Sequence, residues 1–388
     1  MNIQPFRVET SDGELDDLKR RLDGTRWAQD FANDAWSYGT NGAYLRELVD
    51  YWRTGFDWRA QERRINAIPQ FRTHIGGMPI HFQHIRGKGP NPTPLLLSHG
   101  WPWTFWDFHK VIGPLTDPAA HGGDAADSFD LVIPSLPGYG FSTPLTTPGM
   151  NFWNTADVFA ELMTGLGYSR FAAAGGDWGA FVTAQLGHKY SQRLIGAHVT
   201  LMSPLDFFTG GSVPAEDYSE SEAGWRERGQ NFFLTEAGYY ALQSTKPQTV
   251  AFALNDSPVG LCSWIVEKRR TWSDCNGQVE TRFSKDDLLT TVMIYWLTQS
   301  YGTSARFYYE AAHNPWQPSH ALQPVVQAPT AAAVFLKEVV LQPHRWAERY
   351  FNLKRWTVFE SGGHFAPMEE PAALAGDIRA FFRALRST

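Results

Sequence analysis

Apolar positions recur at helical spacing in the first part of the chain. Leu15, Leu18 and Leu22 form one stripe, and Tyr44, Leu45, Leu48, Val49 and Trp52 form a second before Phe56-Asp-Trp58. Both predict amphipathic helices that bury one face. From Gln70 the period changes to two: Phe71-Arg-Thr-His-Ile75 and Ile80-His-Phe-Gln-His-Ile85 alternate around Gly76-Gly77, which predicts a hairpin. A loop rich in Gly, Pro and Asn leads to the apolar strand Leu95-Leu-Leu97, and a further strand, Leu131-Val-Ile133, runs into the turn-rich Pro134-Ser-Leu-Pro-Gly-Tyr-Gly-Phe-Ser142. Val158, Phe159, Leu162, Met163 and Leu166 then mark a helix, and the run from Arg170 to Ala174 a short buried strand. Strands alternating with helices imply a mostly parallel sheet covered on both faces.

Past Val199-Thr-Leu201 the strand rhythm stops for about 120 residues of helical, aromatic sequence, in which Trp225, Tyr239, Trp272 and Tyr308 are typical. The rhythm resumes with Thr330-Ala-Ala-Ala-Val-Phe335 and Trp356-Thr-Val-Phe359, and a helix from Pro371 to Leu385 closes the chain. The expected organisation is an N-terminal arm (1–90) packed over core and lid, a first core part (91–203), a helical lid (204–324) and a second core part (325–388).

Composition narrows the class. The 388 residues, 43% hydrophobic and 19% charged, suit a globular core with an insertion. The 16 Trp and 26 Phe suggest an apolar, aromatic-lined cavity as well as a core, with most of them expected in the core. A formal charge of -6 argues against nucleic acid or an anionic membrane surface as partner. Cys262 and Cys275 are too few for a disulfide framework and have no metal-ligand spacing, so free thiols are expected. Neither a signal-like start nor 18 consecutive apolar residues occurs, and a cytoplasmic location is expected.

The chemistry centres on Ala172-Ala-Ala-Gly-Gly-Asp177-Trp-Gly-Ala180. A buried strand, a Gly pair and a following helix make the corner on which the α/β-hydrolases raise a nucleophile, and here that residue is Asp177. A carboxylate is ionised near neutral pH and attacks without a base. It can displace at an sp3 carbon and leave an alkyl ester, whose hydrolysis needs a His, an orienting acid and an oxyanion hole. His364, on the Gly362-Gly363 loop after a late strand, is the candidate base. Glu338, on the loop after Phe335, is the orienting acid, and the rivals Glu369 and Glu370 are read instead as first-turn acids of the last helix. By analogy with the fold, the N–H groups of Trp101 and Trp178 form the oxyanion hole, while His99 is read as a loop-fixing hydrogen bonder. An epoxide would also need a proton donor for its oxygen, and a buried Tyr stays protonated, but 14 Tyr leave the choice open.

The elbow Gly-Gly-Asp177-Trp-Gly, the loop His99-Gly-Trp-Pro102 and Pro137-Gly-Tyr-Gly-Phe-Ser142 resemble the epoxide hydrolases of the α/β-hydrolase fold. Tyr51-Trp-Arg, Phe56-Asp-Trp-Arg59, Ala253-Leu-Asn-Asp-Ser-Pro-Val-Gly-Leu261 and Gly362-Gly-His-Phe365 resemble the microsomal-type branch with its N-terminal arm, or meander. That resemblance implies lid acids at Tyr239, before Thr245-Lys-Pro247, and at Tyr308, in Arg306-Phe-Tyr308, with the neighbours Tyr240 and Tyr309 as fallbacks. It also implies Glu338 as the orienting acid. Two departures stand out: the membrane anchor of the mammalian members is not expected, and Trp103-Thr104 replaces the usual Gly-Ser pair, so Trp103, with Phe141, is expected to shape the substrate pocket.

The expected activity is hydrolysis of a bulky or aryl epoxide to a vicinal diol, in detoxification or natural-product biosynthesis, with water as co-substrate and neither cofactor nor metal. A homodimer is compatible with this reading. A haloalkane dehalogenase is the alternative that shares the Asp nucleophile, and a non-catalytic receptor on a hydrolase scaffold is the more distant one.

Overall fold

The computed structural model describes residues 1–386. One nine-stranded sheet runs through it in the order β1-β2-β3-β5-β4-β6-β7-β8-β9. The chain begins with β1 (Gln4–Phe6), α1 (Asp12–Asp23), α2 (Gly42–Thr54) and α3 (Trp58–Asn66). A capping box from Ser11 and Glu14 starts α1, and Asn41 and Asp57 cap α2 and α3. Leu18 and Leu22 of α1, and Leu45, Leu48, Val49 and Trp52 of α2, are buried as their spacing predicts. The hairpin follows as β2 (Gln70–Ile75) and β3 (Met78–Ile85), paired antiparallel around Gly76-Gly77. Residues 1–90 therefore also contribute to the sheet, because β1 pairs with β2 and β3 with β5. The three-residue β1 carries too little pattern to be foreseen.

The parallel part comprises β4 (Thr93–Ser98), α4 (His109–Thr116), β5 (Phe129–Pro134), α5 (Phe152–Gly165), β6 (Phe171–Gly175), α6 (Trp178–Lys189) and β7 (Leu194–Val199). Strand β6 is Phe-Ala-Ala-Ala-Gly and entirely buried, and α6 behind it is apolar nearly all round. Such a helix belongs inside a protein, not on its surface. Strand β7 ends at Val199, where the strand rhythm of the sequence stops.

Six helices lie between β7 and β8: α7 (Ala223–Thr235), α8 (Gly238–Thr245), α9 (Pro247–Asp256), α10 (Pro258–Thr271), α11 (Lys285–Thr298) and α12 (Tyr301–His313). The N-terminal helices pack on them. Tyr51 on α2 donates to Asp286 at 2.8 Å, and Arg21 on α1 pairs with Asp256. The chain returns through β8 (Val326–Phe335), α13 (His344–Tyr350), β9 (Phe351–Phe359), the short turn α14 (Ala366–Glu369) and α15 (Pro371–Arg386). Strands β7, β8 and β9 are parallel, so the loops after β4, β6, β8 and β9 emerge at one edge of the sheet. In such sheets the carboxyl ends of the strands are where ligands bind.

One buried ion pair ties the inserted helices to this edge. Arg269 on α10 reaches Asp107 at 2.5 Å and the Pro102 carbonyl at 3.1 Å, with both side chains of the pair 2% exposed. Its guanidinium also lies 4.2 Å over the Phe365 ring. Arg269→Met strands a buried carboxylate, so unfolding in urea is expected to show a loss of about 3–5 kcal/mol, as for other broken buried pairs. The double variant Arg269→Met/Asp107→Leu is expected to lose less than the single one.

Candidate active site

Asp177 stands at the corner between β6 and α6 with φ 50° and ψ -128°. That conformation lies outside the regions open to L-residues and costs on the order of 1–3 kcal/mol. Close packing enforces it. A Cβ on Gly179 would meet the Ser98 carbonyl oxygen at 1.8 Å, so only glycine lets α6 start this close to β4. Gly100 has the same constraint from the other side: its Cβ would fall 2.3 Å from the Asp177 side chain. The absence of that Cβ gives the carboxylate its berth. The Trp101 N–H donates to Asp177 Oδ1 at 2.7 Å, and Oδ2 lies 3.5 Å from His364 Nε2.

His99 holds the loop that presents Trp101. Its Nε2 accepts from the Leu136 N–H at 3.0 Å, which leaves the Nδ1 proton to donate to the Gly100 carbonyl at 2.9 Å. Burial keeps the ring neutral by pushing it down to about 4. Trp178 is the first residue of α6, where an N–H has no acceptor within the helix.

His364 lies on the loop after β9, and Glu338 on the loop after β8. His364 Nδ1 donates to Glu338 Oε1 at 2.7 Å, and both side chains are 1% exposed. Burial disfavours the imidazolium, but Glu338 and Asp177 outweigh it and push His364 up to about 10. Both carboxylates thus favour the protonated form of His364.

Above Asp177 lies a narrow cavity of about 80 Å³, into which Tyr239, Tyr308, Tyr240, Trp178, Trp272 and His364 all face. Tyr239, on α8, stacks flat on Trp101 with centroids 5.1 Å apart and 6° between planes. Tyr308, on α12, meets Tyr239 edge-on at 5.8 Å and Trp178 at 4.7 Å. Burial, reinforced by the charge on Asp177, raises both hydroxyls well above the usual 10. Of the fallback tyrosines, Tyr240 reaches the cavity wall, whereas Tyr309 is 37% exposed and stacks on His313.

Two sequence-predicted pocket residues lie elsewhere. Phe141 packs on Phe6, His81 and Phe105 beside β1, because Gly138 and Gly140 adopt positive φ and turn the loop toward the N-terminal strands. Trp103 is fully buried below the cavity wall, edge-on to His364 at 5.6 Å. It supports the imidazole from behind. Glu369 likewise differs from its reading as a first-turn acid, since it ends α14 and its carboxylate accepts backbone N–H groups of the His364 loop. Trp272, which composition could not single out, contacts Tyr239 at 4.9 Å and His364 at 5.2 Å.

Among the described residues, no group of three or more His, Cys, Asp or Glu is arranged as metal ligands, and no helix is long and apolar enough to cross a membrane. Cys262 and Cys275 are buried free thiols.

Known proteins place this architecture. A family described as "Epoxide hydrolase N terminus" matches residues 3–108, and one described as "alpha/beta hydrolase fold" matches 93–258. Epoxide hydrolase 1 of Oryctolagus cuniculus is 38% identical over 98% of this chain and 88% of its own length. The juvenile hormone epoxide hydrolase structure from the silkworm Bombyx mori is 32% identical, with a TM-score of 0.88 over 100% of this chain and 95% of that one. The Aspergillus niger epoxide hydrolase structure is 29% identical, with a TM-score of 0.86 over 99% and 97% of the two chains. With a relative 38% identical over nearly the whole of this chain and solved epoxide hydrolases sharing its fold from end to end, the chain belongs to the epoxide hydrolases of the α/β-hydrolase fold.

Proposed function

We propose that this enzyme converts an epoxide and water to a vicinal diol through an ester on Asp177. The observation that carries the reading is the placement of one carboxylate between two functions. Its Oδ1 is held by the Trp101 N–H at 2.7 Å, and Oδ2 is left between His364 and the cavity with Tyr239 and Tyr308. Oδ2 attacks an epoxide carbon and the ring C–O bond breaks. A tyrosine hydroxyl, kept protonated by burial, delivers its proton to the leaving oxygen.

Ester formation removes the charge on Asp177, one of the two that favour a protonated His364. His364 then gives up its proton, which restores the tyrosine, and the neutral imidazole can take a proton from water. That water attacks the ester carbonyl carbon while Glu338 stabilises the imidazolium that reforms. Trp101 and Trp178 N–H groups receive the oxyanion. The Cγ–Oδ2 bond breaks, the departing Oδ2 takes up the second proton of the attacking water, the diol leaves, and the oxygen of water stays on the Asp177 carboxylate. The sum is redox-neutral: both protons of the water end on the diol, and Asp177, His364 and the tyrosine return to their starting states.

Residues 204–324 act as the lid that brings both tyrosines to the core formed by 91–203 and 325–388, with 1–90 bracing them. The aromatic walls, Phe208, Phe232 and Trp272 among them, favour a substrate with a flat or bulky apolar substituent. The test is a single turnover of excess enzyme with styrene oxide in oxygen-18 water. Unlabelled diol is expected, because its new oxygen comes from Asp177. Labelled diol in that first turnover would establish direct attack by water and overturn the ester.

A further inference from the structure

One buried carboxylate collects three backbone N–H groups around His364. Glu369, 7% exposed, accepts from Phe365 at 2.8 Å on Oε1 and from Gly363 at 3.0 Å and Asp274 at 2.7 Å on Oε2. The residues before and after His364 are thus held by the same side chain. His364 donates its own N–H to the Trp272 carbonyl at 2.9 Å, and Gly362 donates to Asp274 Oδ2 at 3.0 Å. Every N–H from 362 to 365 is therefore anchored to Glu369 or to residues 272–274, the segment that leaves α10. The aromatic side of Trp272 meanwhile touches Tyr239. Glu369 makes no contact with the cavity and takes no part in the steps above.

We infer that Glu369 is a positioning residue for ester hydrolysis. Its carboxylate fuses the His364 loop to the end of α10, so that Nε2 faces the Asp177 ester while Nδ1 stays on Glu338. This rests on the ester reading. An amide at 369 cannot accept all three bonds, because its NH2 would face a donor. The loop then loses an anchor and the imidazole drifts. A misplacement of about 1 Å can slow a step by about 100-fold. Alkylation by Asp177 does not need the imidazole as a base and should proceed nearly as before.

The experiment is rapid-quench mass spectrometry of intact protein after mixing Glu369→Gln with excess styrene oxide, with wild type and His364→Gln alongside. Expected are alkylation within about threefold of wild type, hydrolysis slowed about 10- to 100-fold, and an accumulating adduct one substrate mass heavier. Glu369→Asp keeps the charge but is a methylene shorter, and its adduct is expected to reach an intermediate level. If Glu369→Gln does not fold, this variant decides by the same criterion. Equal slowing of both steps, or no adduct where His364→Gln gives one, overturns the positioning role. No adduct with His364→Gln either would instead overturn the ester reading.

Discussion

Asp177→Asn is expected to lower turnover of styrene oxide by about 10⁴-fold or more, the scale on which a member of a catalytic unit is missed. The amide keeps the shape and the acceptor for the Trp101 N–H, and Asn tolerates positive φ as Asp does, so the fold should persist. What disappears is the charge, and with it both the nucleophile and one of the two carboxylates that push His364 up to about 10. The His364 resonance should accordingly titrate at lower pH in the variant. Stability provides a second readout. A folded value above the ordinary 6.5 means that the contribution of His364 is fully present below pH 6.5 and is lost as pH rises through about 10. Wild-type unfolding midpoints should fall over that window, and the fall should be shallower in Asp177→Asn. Turnover within tenfold of wild type would remove Asp177 from the reaction.

Legibility in the sequence follows the range of the contacts. The elbow, the Gly76-Gly77 hairpin and the stripes of α1 and α2 each leave a local pattern, because a period or a glycine pair is fixed by neighbours a few residues away. The pairing of His364 with Glu338 is also within reach, since both follow strand ends in a known topological order. Contacts that join distant segments leave no such trace. Arg269 and Asp107 are 162 positions apart, and neither stands out from the other charged residues. Glu369 reads as a helix-start acid from its place before Pro371, whereas its carboxylate turns back to the loop it follows. The motif around Phe141 points to the pocket, but a side chain's direction after two positive-φ glycines is set by the packing of β1, itself too short to predict.

Removing the hydroxyls of both Tyr239 and Tyr308 is expected to have the second-largest effect. Tyr239→Phe or Tyr308→Phe alone should slow turnover about 100-fold, and the double variant about 10⁴-fold, within the range for a lost acid in the transition state. The aromatic framework explains why the change is confined to chemistry. The phenyl ring left at position 239 still stacks on Trp101, which carries the N–H held by Asp177, and the one at position 308 still meets Trp178 edge-on. Neither the Trp101 loop nor helices α8 and α12 therefore lose their packing. Unfolding free energies should stay within about 1 kcal/mol of wild type, the usual net worth of one hydrogen bond. The lesion should also fall on one step. With no proton for the leaving oxygen, alkylation slows and no ester accumulates, the reverse of the pattern expected for Glu369→Gln. In wild type, burial and the Asp177 charge hold both tyrosines well above 10, so alkylation should not decline near pH 10 through loss of the phenolic proton. A double variant that still forms the ester at the wild-type rate would place the acid elsewhere, and Tyr240, the remaining tyrosine on the cavity wall, would be the next to replace.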